Sequence, residues 1–160
     1  MGTLTYDYRS RRSLVLTVAF VAVVVAVGAV IGISSSPDGW YQSLAKPPFN
    51  PPNWIFGPVW FALYVMIGIA GARTAYRDAS STPMFLWILQ MILNWAWSPT
   101  WFTLHQLWPA FIIIAAVLAL IVAFIVTTWK ADRVSALLFV PYAAWVAFAS
   151  SLNLSIALLN

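Results

Sequence analysis

The sequence contains no cysteine and no glutamate, and it has a single histidine, His105. Without cysteine, a disulfide framework, a thiolate nucleophile and a cysteine-ligated metal are all excluded. The four acidic residues are aspartates in the N-terminal tail or at predicted helix ends, so no carboxylate pair for acid–base catalysis can be argued. We therefore expect no metal site and no conventional catalytic residues.

Charged residues are scarce. They make up 8% of the 160 residues, whereas 62% are hydrophobic, and a soluble domain has about 25% charged residues. So few charges cannot form a solvated surface, which indicates that the medium is a lipid bilayer. The uncharged stretches are long enough to cross a bilayer, which takes about 20 residues. The predicted fold class is an all-α integral membrane protein.

Five apolar stretches fit transmembrane helices in one domain that covers residues 1–160. The first stretch is longer than the apolar core of a signal peptide, which has roughly 7–15 residues, so we interpret it as a permanent helix. A connector rich in proline and tryptophan joins the first two helices. The predicted helices are 13–33, 54–76, 84–104, 109–129 and 134–158.

Seven of the eight basic residues fall on one side of this five-helix arrangement, and only Lys46 falls on the other. Because basic residues concentrate in cytoplasmic loops, we predict a cytoplasmic N-terminus and a connector that faces outward. The net charge of +4 then reports orientation, and we expect no nucleic-acid binding because the basic residues are dispersed. The seven residues are Arg9, Arg11, Arg12, Arg73, Arg77, Lys130 and Arg133.

The stretch from Trp40 to Tyr64 is rich in proline and aromatic residues. Its prolines fix φ and remove backbone donors, so it should be a stiff connector that holds aromatic rings in set positions. The prolines are Pro47, Pro48, Pro51 and Pro52.

Three of the predicted helices carry aromatic residues beside polar or small ones at helical spacing. We expect these faces to meet inside the bundle and to form a slot for a flat ligand. The alternative is that residues such as Asn94 only hydrogen-bond between helices. The three faces are Trp60, Tyr64, Gly68 and Gly71; Gln90, Asn94 and Ser98, with Trp87, Trp97 and Trp101 alongside; and Tyr142, Trp145, Ala149 and Asn153.

Several short motifs occur in the order and spacing of a known family. They are Trp40-Tyr41, Leu44-x-Lys46-Pro47, Pro51-Pro52-x-Trp54, Trp60-x-x-Leu63-Tyr64, Asn94-x-x-Trp97-x-Pro99, Pro141-Tyr142-x-x-Trp145 and Leu152-Asn153. In these motifs the chain resembles the TspO/MBR family, the tryptophan-rich sensory proteins or translocator proteins, and it is most similar in type to bacterial members.

The resemblance implies five transmembrane helices, a homodimer in a bacterial cell membrane, and a pocket beneath the connector. In the family, that pocket binds protoporphyrin IX and haem as ligands, with no cofactor required. The matching positions here are Trp40, Trp60, Tyr64, Asn94, Trp97, Tyr142 and Trp145. We add Lys46, which either meets a propionate carboxylate or extends to lipid phosphate. His105 is a weaker candidate, as a ligand to haem iron.

The leading functional prediction is therefore a porphyrin receptor or sensor. One alternative is light-dependent oxidative breakdown of porphyrin, in which the family resemblance implicates Trp60 and Trp145. Transport is a weaker alternative, because no charge lies inside the predicted helices and ion-coupled transporters need one there. A structural dimer scaffold built on Gly28-x-x-x-Gly32 is the remaining alternative.

Overall fold

In a computed structural model, which describes residues 10–37 and 39–160, every regular element is a helix. The short helix α2 lies in the connector, and a single 3₁₀ turn, Asn53–Ile55, leads into α3. A π-helical segment, Pro99–Thr103, follows α4. The helices are α1 (Arg11–Ser34), α2 (Gly39–Ser43), α3 (Phe56–Asp78), α4 (Thr82–Ser98), α5 (Leu107–Thr128) and α6 (Arg133–Leu159).

The predicted helices are confirmed as helices, and apart from the end of α4 their bounds differ from the observed ones by no more than two residues. Four of the described helices are long and apolar enough to span a membrane: α1, α3 with its preceding 3₁₀ turn, α5 and α6. Helix α4 has only 17 residues before the π-helical segment begins. Four crossings are thus supported by length and composition, and the fifth stays a prediction.

The ends of α4 follow from its sequence. Ser81 caps the N-terminus by accepting a hydrogen bond from the Met84 backbone N–H at 3.4 Å, and Pro83 occupies the first turn, where its missing N–H costs nothing. At the other end, Pro99 cannot donate to the preceding turn. The helix continues there with a wider turn, in which Leu104 N–H donates to the Pro99 carbonyl at 2.9 Å.

The core lies along the contacts of α1 with α3, of α4 with α5, and of α6 with both α3 and α5. It is built from aliphatic and aromatic side chains, with the Phe124 and Phe139 rings stacked at 4.1 Å between α5 and α6. The most deeply buried members include Val24, Ile67, Met91, Ile121, Phe124, Phe139 and Val146.

Gly68 and Gly71 hold α3 close to its neighbours. A Cβ at Gly68 would lie 2.7 Å from the Val21 Cα of α1, and one at Gly71 would lie 2.4 Å from the Trp87 ring of α4. The expectation that these glycines leave room for a ligand was therefore wrong, because Val21 and Trp87 fill the space. The Trp87 indole N–H donates to the Ile67 carbonyl at 3.0 Å.

A buried ion pair joins α3 to the start of α6. The Arg73 Nη2 atom lies 2.6 Å from Asp132 Oδ1, and Arg73 Nε donates to Asp132 Oδ2 at 3.1 Å. Arg73 lies inside α3, and also inside the predicted helix 54–76, with 5% of its surface exposed. The prediction that no charge lies within the helices was wrong at this residue, which stays buried because Asp132 neutralises it.

Asp132 also caps α6, since its carboxylate accepts hydrogen bonds from the Ser135 hydroxyl at 2.7 Å and the Ser135 backbone N–H at 3.4 Å. Burial alone would favour the neutral acid, but the hydrogen bonds from Arg73 and Ser135 outweigh it. They hold the pKa of Asp132 below its ordinary value. Asp132 is therefore ionised at neutral pH.

Candidate functional site

A cavity of about 490 Å³ lies between α1, α3, α4 and α6, beneath the connector. Its volume falls in the range of small-molecule sites, about 300–1,000 Å³. Among the described residues that line it, none is charged. The aromatic lining consists of Tyr41, Phe56, Trp60, Phe61, Tyr64, Trp97, Trp101 and Phe102, and the polar lining of Ser35, Asn53, Asn94, Ser98 and Asn153.

Helix α3 contributes Trp60 to the aromatic lining and α4 contributes Trp97. The Trp60 and Trp97 ring centroids are 6.4 Å apart at an interplanar angle of 30°, and Trp101 stacks behind Trp97 at 6.5 Å and 20°. The Trp97 indole N–H donates to Asn153 Oδ1 at 3.0 Å, which fixes the orientation of the ring. The Trp97 ring, held in place by this hydrogen bond and lining the cavity, is suited to stacking on a flat apolar molecule.

Small residues of α1 form a further part of the wall, including Gly28, Ala29 and Gly32. A Cβ at Gly28 would lie 2.1 Å from the Tyr64 ring, so this glycine allows Tyr64 to lie flat against the α1 backbone. Gly28 thus makes an intrachain contact, whereas a Cβ at Gly32 would meet nothing within 4 Å.

The polar floor of the cavity is formed where α3, α4 and α6 meet. Tyr64 donates to Asn94 Oδ1 at 3.1 Å, and Asn94 Nδ2 donates to the Tyr142 oxygen at 2.8 Å. Tyr142 is fully buried behind Asn94 and is not a lining residue. The three faces predicted to converge do converge here, and their polar groups satisfy one another.

Four of the eight predicted site residues line the cavity: Trp60, Tyr64, Asn94 and Trp97. Tyr142 supports Asn94 from behind. Trp145 is separated from the cavity by Phe56, a lining residue whose ring lies 5.8 Å from that of Trp145. Within the described part of the chain, the buried Trp145 indole N–H has no hydrogen-bond partner.

Trp40 and Lys46 belong to the connector and are not among the lining residues. Trp40 stacks on His105 with ring centroids 4.0 Å apart, and His105 occupies a turn with φ 55°. The Lys46 ammonium donates to the Gln42 and Leu44 carbonyls, both at 3.1 Å, and lies 4.8 Å from the centre of the Tyr41 ring. Lys46 therefore caps the end of α2.

The connector covers the cavity and is fastened at several points. Tyr41 is buried, donates to Asn50 Oδ1 at 3.2 Å, and has a pKa that burial raises, so its hydroxyl stays protonated. At the end of α6, the Asn160 side chain accepts from Ala45 N–H at 2.9 Å and donates to the Ala45 carbonyl at 3.1 Å. The Asn160 contacts connect the connector to the end of α6.

Sequence reasoning missed part of the lining. Phe56, Phe61 and Phe102 carry no spacing signal that separates them from lipid-facing residues, and α1 is a nearly uniform apolar run. Trp101 lies four residues after Trp97, and this helical spacing had already placed it beside the predicted face of α4. In residues 10–37 and 39–160 no group of three or more His, Cys, Asp or Glu side chains could hold a metal ion.

Comparison with known proteins identifies the family. Residues 19–159 match the sequence profile of the TspO/MBR family. The chain is 34% identical to Protein CrtK of Rhodobacter capsulatus over 92% of this chain and 94% of that protein. It is 30% identical to the Tryptophan-rich sensory protein of Cereibacter sphaeroides (82% and 84%) and 34% identical to the Translocator protein of Homo sapiens (71% and 70%). The chain belongs to the TspO/MBR family.

Proposed function

We propose that the protein is a membrane receptor that binds a tetrapyrrole, such as protoporphyrin IX or haem, in the cavity beneath the connector. The observation that carries this proposal is the uncharged cavity lined by the Trp60 and Trp97 rings, with Asn94 at its floor. Stacking on an aromatic side chain contributes about 1–3 kcal/mol for a nucleic-acid base. The macrocycle would gain this stabilisation on more than one ring.

The propionates of such a ligand would point toward the connector, because the described lining offers no cation to pair with them. Lys46 is the nearest candidate in the connector. Two of the three donors of its ammonium contact backbone carbonyls, which leaves one for a carboxylate. We therefore retain Lys46 as a proposed contact at the entrance and not as part of the cavity.

We also propose five membrane crossings with a cytoplasmic N-terminus. Helix α4 and the π-helical segment together run from Thr82 to Thr103, and at about 1.5 Å per residue this is enough to cross a hydrocarbon core of about 30 Å. Such a crossing places Lys46 and the cavity mouth outside. It also places the buried Arg73–Asp132 pair near the cytoplasmic surface. The homodimer implied by the family resemblance stays a prediction.

Titration with protoporphyrin IX in the dark, followed by quenching of tryptophan fluorescence in detergent, tests the receptor proposal. We expect saturable binding with one ligand per chain. Trp60→Leu should weaken binding about tenfold or more through lost stacking. Trp108→Leu is the matched control, because Trp108 is half exposed on α5 and is not a lining residue. Quenching that never saturates would refute the proposal.

Light-dependent oxidation of bound porphyrin is the second candidate. It is favoured by one observation, that oxidisable indoles of Trp60 and Trp97 line the cavity directly. Dioxygen would be the oxidant. Trp145, the other residue implicated by the family resemblance, is one aromatic ring further away. Illumination of the complex distinguishes the candidates: bleaching no faster than that of free porphyrin in the same detergent rejects the oxidative reaction.

A further inference from the structure

We infer that the cavity selects ligands that present an N–H or O–H donor to Tyr64, and that Gln90, which is not a lining residue, imposes this preference. The inference rests on the proposed function, in that the cavity must be a ligand site. It states that buried residues of the bundle fix which group of the site donates a hydrogen bond to a ligand and which accepts one.

The polarity originates at the Trp87 carbonyl. Gln90 Nε2 donates to this carbonyl at 3.0 Å. A backbone carbonyl can only accept, so the Gln90 amide must present its nitrogen there and its oxygen on the other side. Gln90 has no exposed surface, and a reversed amide would bury two acceptors against each other, which is strongly unfavourable.

The fixed Gln90 oxygen then orders the next two groups. Tyr142 donates its only proton to Gln90 Oε1 at 2.9 Å, so its oxygen must accept from Asn94 Nδ2, which lies 2.8 Å away. This contact turns the Asn94 amide so that its oxygen faces Tyr64. Every step runs in one direction because each hydroxyl has one proton to give.

Tyr64 is the last member of the chain. Its proton is committed to Asn94 Oδ1 at 3.1 Å, and the residue itself lines the cavity. What Tyr64 offers to a ligand is therefore the lone pairs of its oxygen. A carboxylate or ketone oxygen placed there would meet an acceptor, whereas a pyrrole, lactam or indole N–H, or a hydroxyl, would donate to it. The ligand class is a flat aromatic molecule with such a donor at its edge.

A pair of rigid tricycles tests this preference. Carbazole carries a ring N–H, and dibenzofuran has an oxygen at the same position with nearly the same shape. Each is titrated against the full-length protein in detergent, and apparent dissociation constants are taken from the rise in unfolding temperature with ligand concentration. We expect carbazole to bind about threefold to tenfold more tightly, the effect of one hydrogen bond.

Four variants separate the role of Gln90 from simple packing. Tyr64→Phe should abolish the preference and serves as the reference for any difference in partition into detergent. Gln90→Leu frees Tyr142 to donate to Asn94, whose amide can then turn over and let Tyr64 donate to the ligand. The preference should fall to unity or reverse. Gln90→Glu, neutral at this buried site, can still donate to Trp87 and accept from Tyr142, so it should keep the preference. Met91→Leu, at the adjacent buried position, is the packing control.

Equal affinity of the wild-type protein for the two tricycles would overturn the inference, as would a preference that survives in Gln90→Leu. Failure of both tricycles to raise the unfolding temperature would overturn the inference too, because both molecules are small enough to fit inside the cavity. These outcomes are independent of the porphyrin titration. If protoporphyrin IX does not bind but carbazole binds more tightly than dibenzofuran, the proposed function is wrong and the inferred preference for a hydrogen-bond donor is still supported.

Discussion

At the scale of single residues, the protein has few buried polar side chains, and nearly all of them are hydrogen-bonded or ion-paired. Asn94 satisfies Tyr64 and Tyr142 together, and Arg73 satisfies Asp132. In an apolar medium an unpaired polar group costs several kcal/mol, so most of the described buried polar groups have a partner, and the indole N–H groups of Trp95 and Trp145 are the exceptions. Gln90, Asn94 and Asn153 were visible in the sequence, but their partners were not, because the partners lie on other helices.

The Arg73–Asp132 pair gives the first prediction. Asp132→Asn should destabilise the protein by about 3–5 kcal/mol at neutral pH, because it leaves the Arg73 charge buried without a counterion. The double variant Arg73→Met, Asp132→Asn should recover much of this loss. Thermal unfolding in detergent measures both. A double variant as unstable as the single one would contradict the assignment of the cost to an unpaired charge.

The same pair predicts a dependence on pH. The folded-state pKa of Asp132 lies below its ordinary value, so the stabilisation is fully present above about pH 4. It is lost as the pH falls through the folded-state pKa, because the unfolded chain then binds the proton more readily. The unfolding temperature of the wild type should fall more steeply below pH 4 than that of the double variant. If the unfolding temperatures of the two proteins fell equally with decreasing pH, this prediction would be contradicted.

At the scale of elements, the hydrophobic runs predicted the helices well, because the length of an apolar stretch is a local property of the sequence. The details that depend on neighbours were not predictable in this way. The π-helical turn after α4 needs Pro99 in its structural context, and the short helix α2 needs the Lys46 cap. Gly68 and Gly71 indicated small side chains on α3, but not what lies against them.

The close contact of α1 with α3 gives the prediction at this scale. Gly68→Ala should lower the unfolding temperature, because its Cβ would meet the Val21 backbone, which cannot move aside as a flexible side chain can. Gly32→Ala is the matched control on α1. Its Cβ would meet nothing within 4 Å, and alanine is favoured over glycine in a helix by about 0.5–1 kcal/mol, so it should not lower the unfolding temperature. A lower unfolding temperature for Gly32→Ala than for Gly68→Ala would show that the contact between α1 and α3 at Gly68 is not tight.

At the scale of the whole molecule, the bundle places an aromatic cavity beneath a connector that is fastened at its edges. The stripes on α3, α4 and α6 predicted where the cavity floor lies. The contribution of α1 to its wall could not be predicted, because an almost uniform run of valine and alanine gives no indication of which face points inward. Trp40 and Lys46 were correctly placed in the connector, yet their side chains contact the connector and its surroundings and not the cavity.

The attachment of the connector to α6 predicts an effect on ligand exchange. Asn160→Ala removes both hydrogen bonds to Ala45 and should speed dissociation of bound porphyrin by up to about thirtyfold, at about 1 kcal/mol per lost hydrogen bond. Stopped-flow displacement measures the rate. Ser151→Ala, on the exposed side of α6, is the control. An unchanged rate in Asn160→Ala would show that the ligand leaves by another route.

The tetrapyrrole is proposed to lie against the Trp60 and Trp97 rings, and nuclear magnetic resonance of the tryptophan indoles tests this placement most directly. The ring current of protoporphyrin IX shifts the resonances of protons that lie against its face. With the ligand bound in the dark, we expect large shifts for the indole N–H resonances of Trp60 and Trp97 and none for those of Trp108 and Trp129. Shifts confined to the exposed indoles, or equal for all of them, would contradict it.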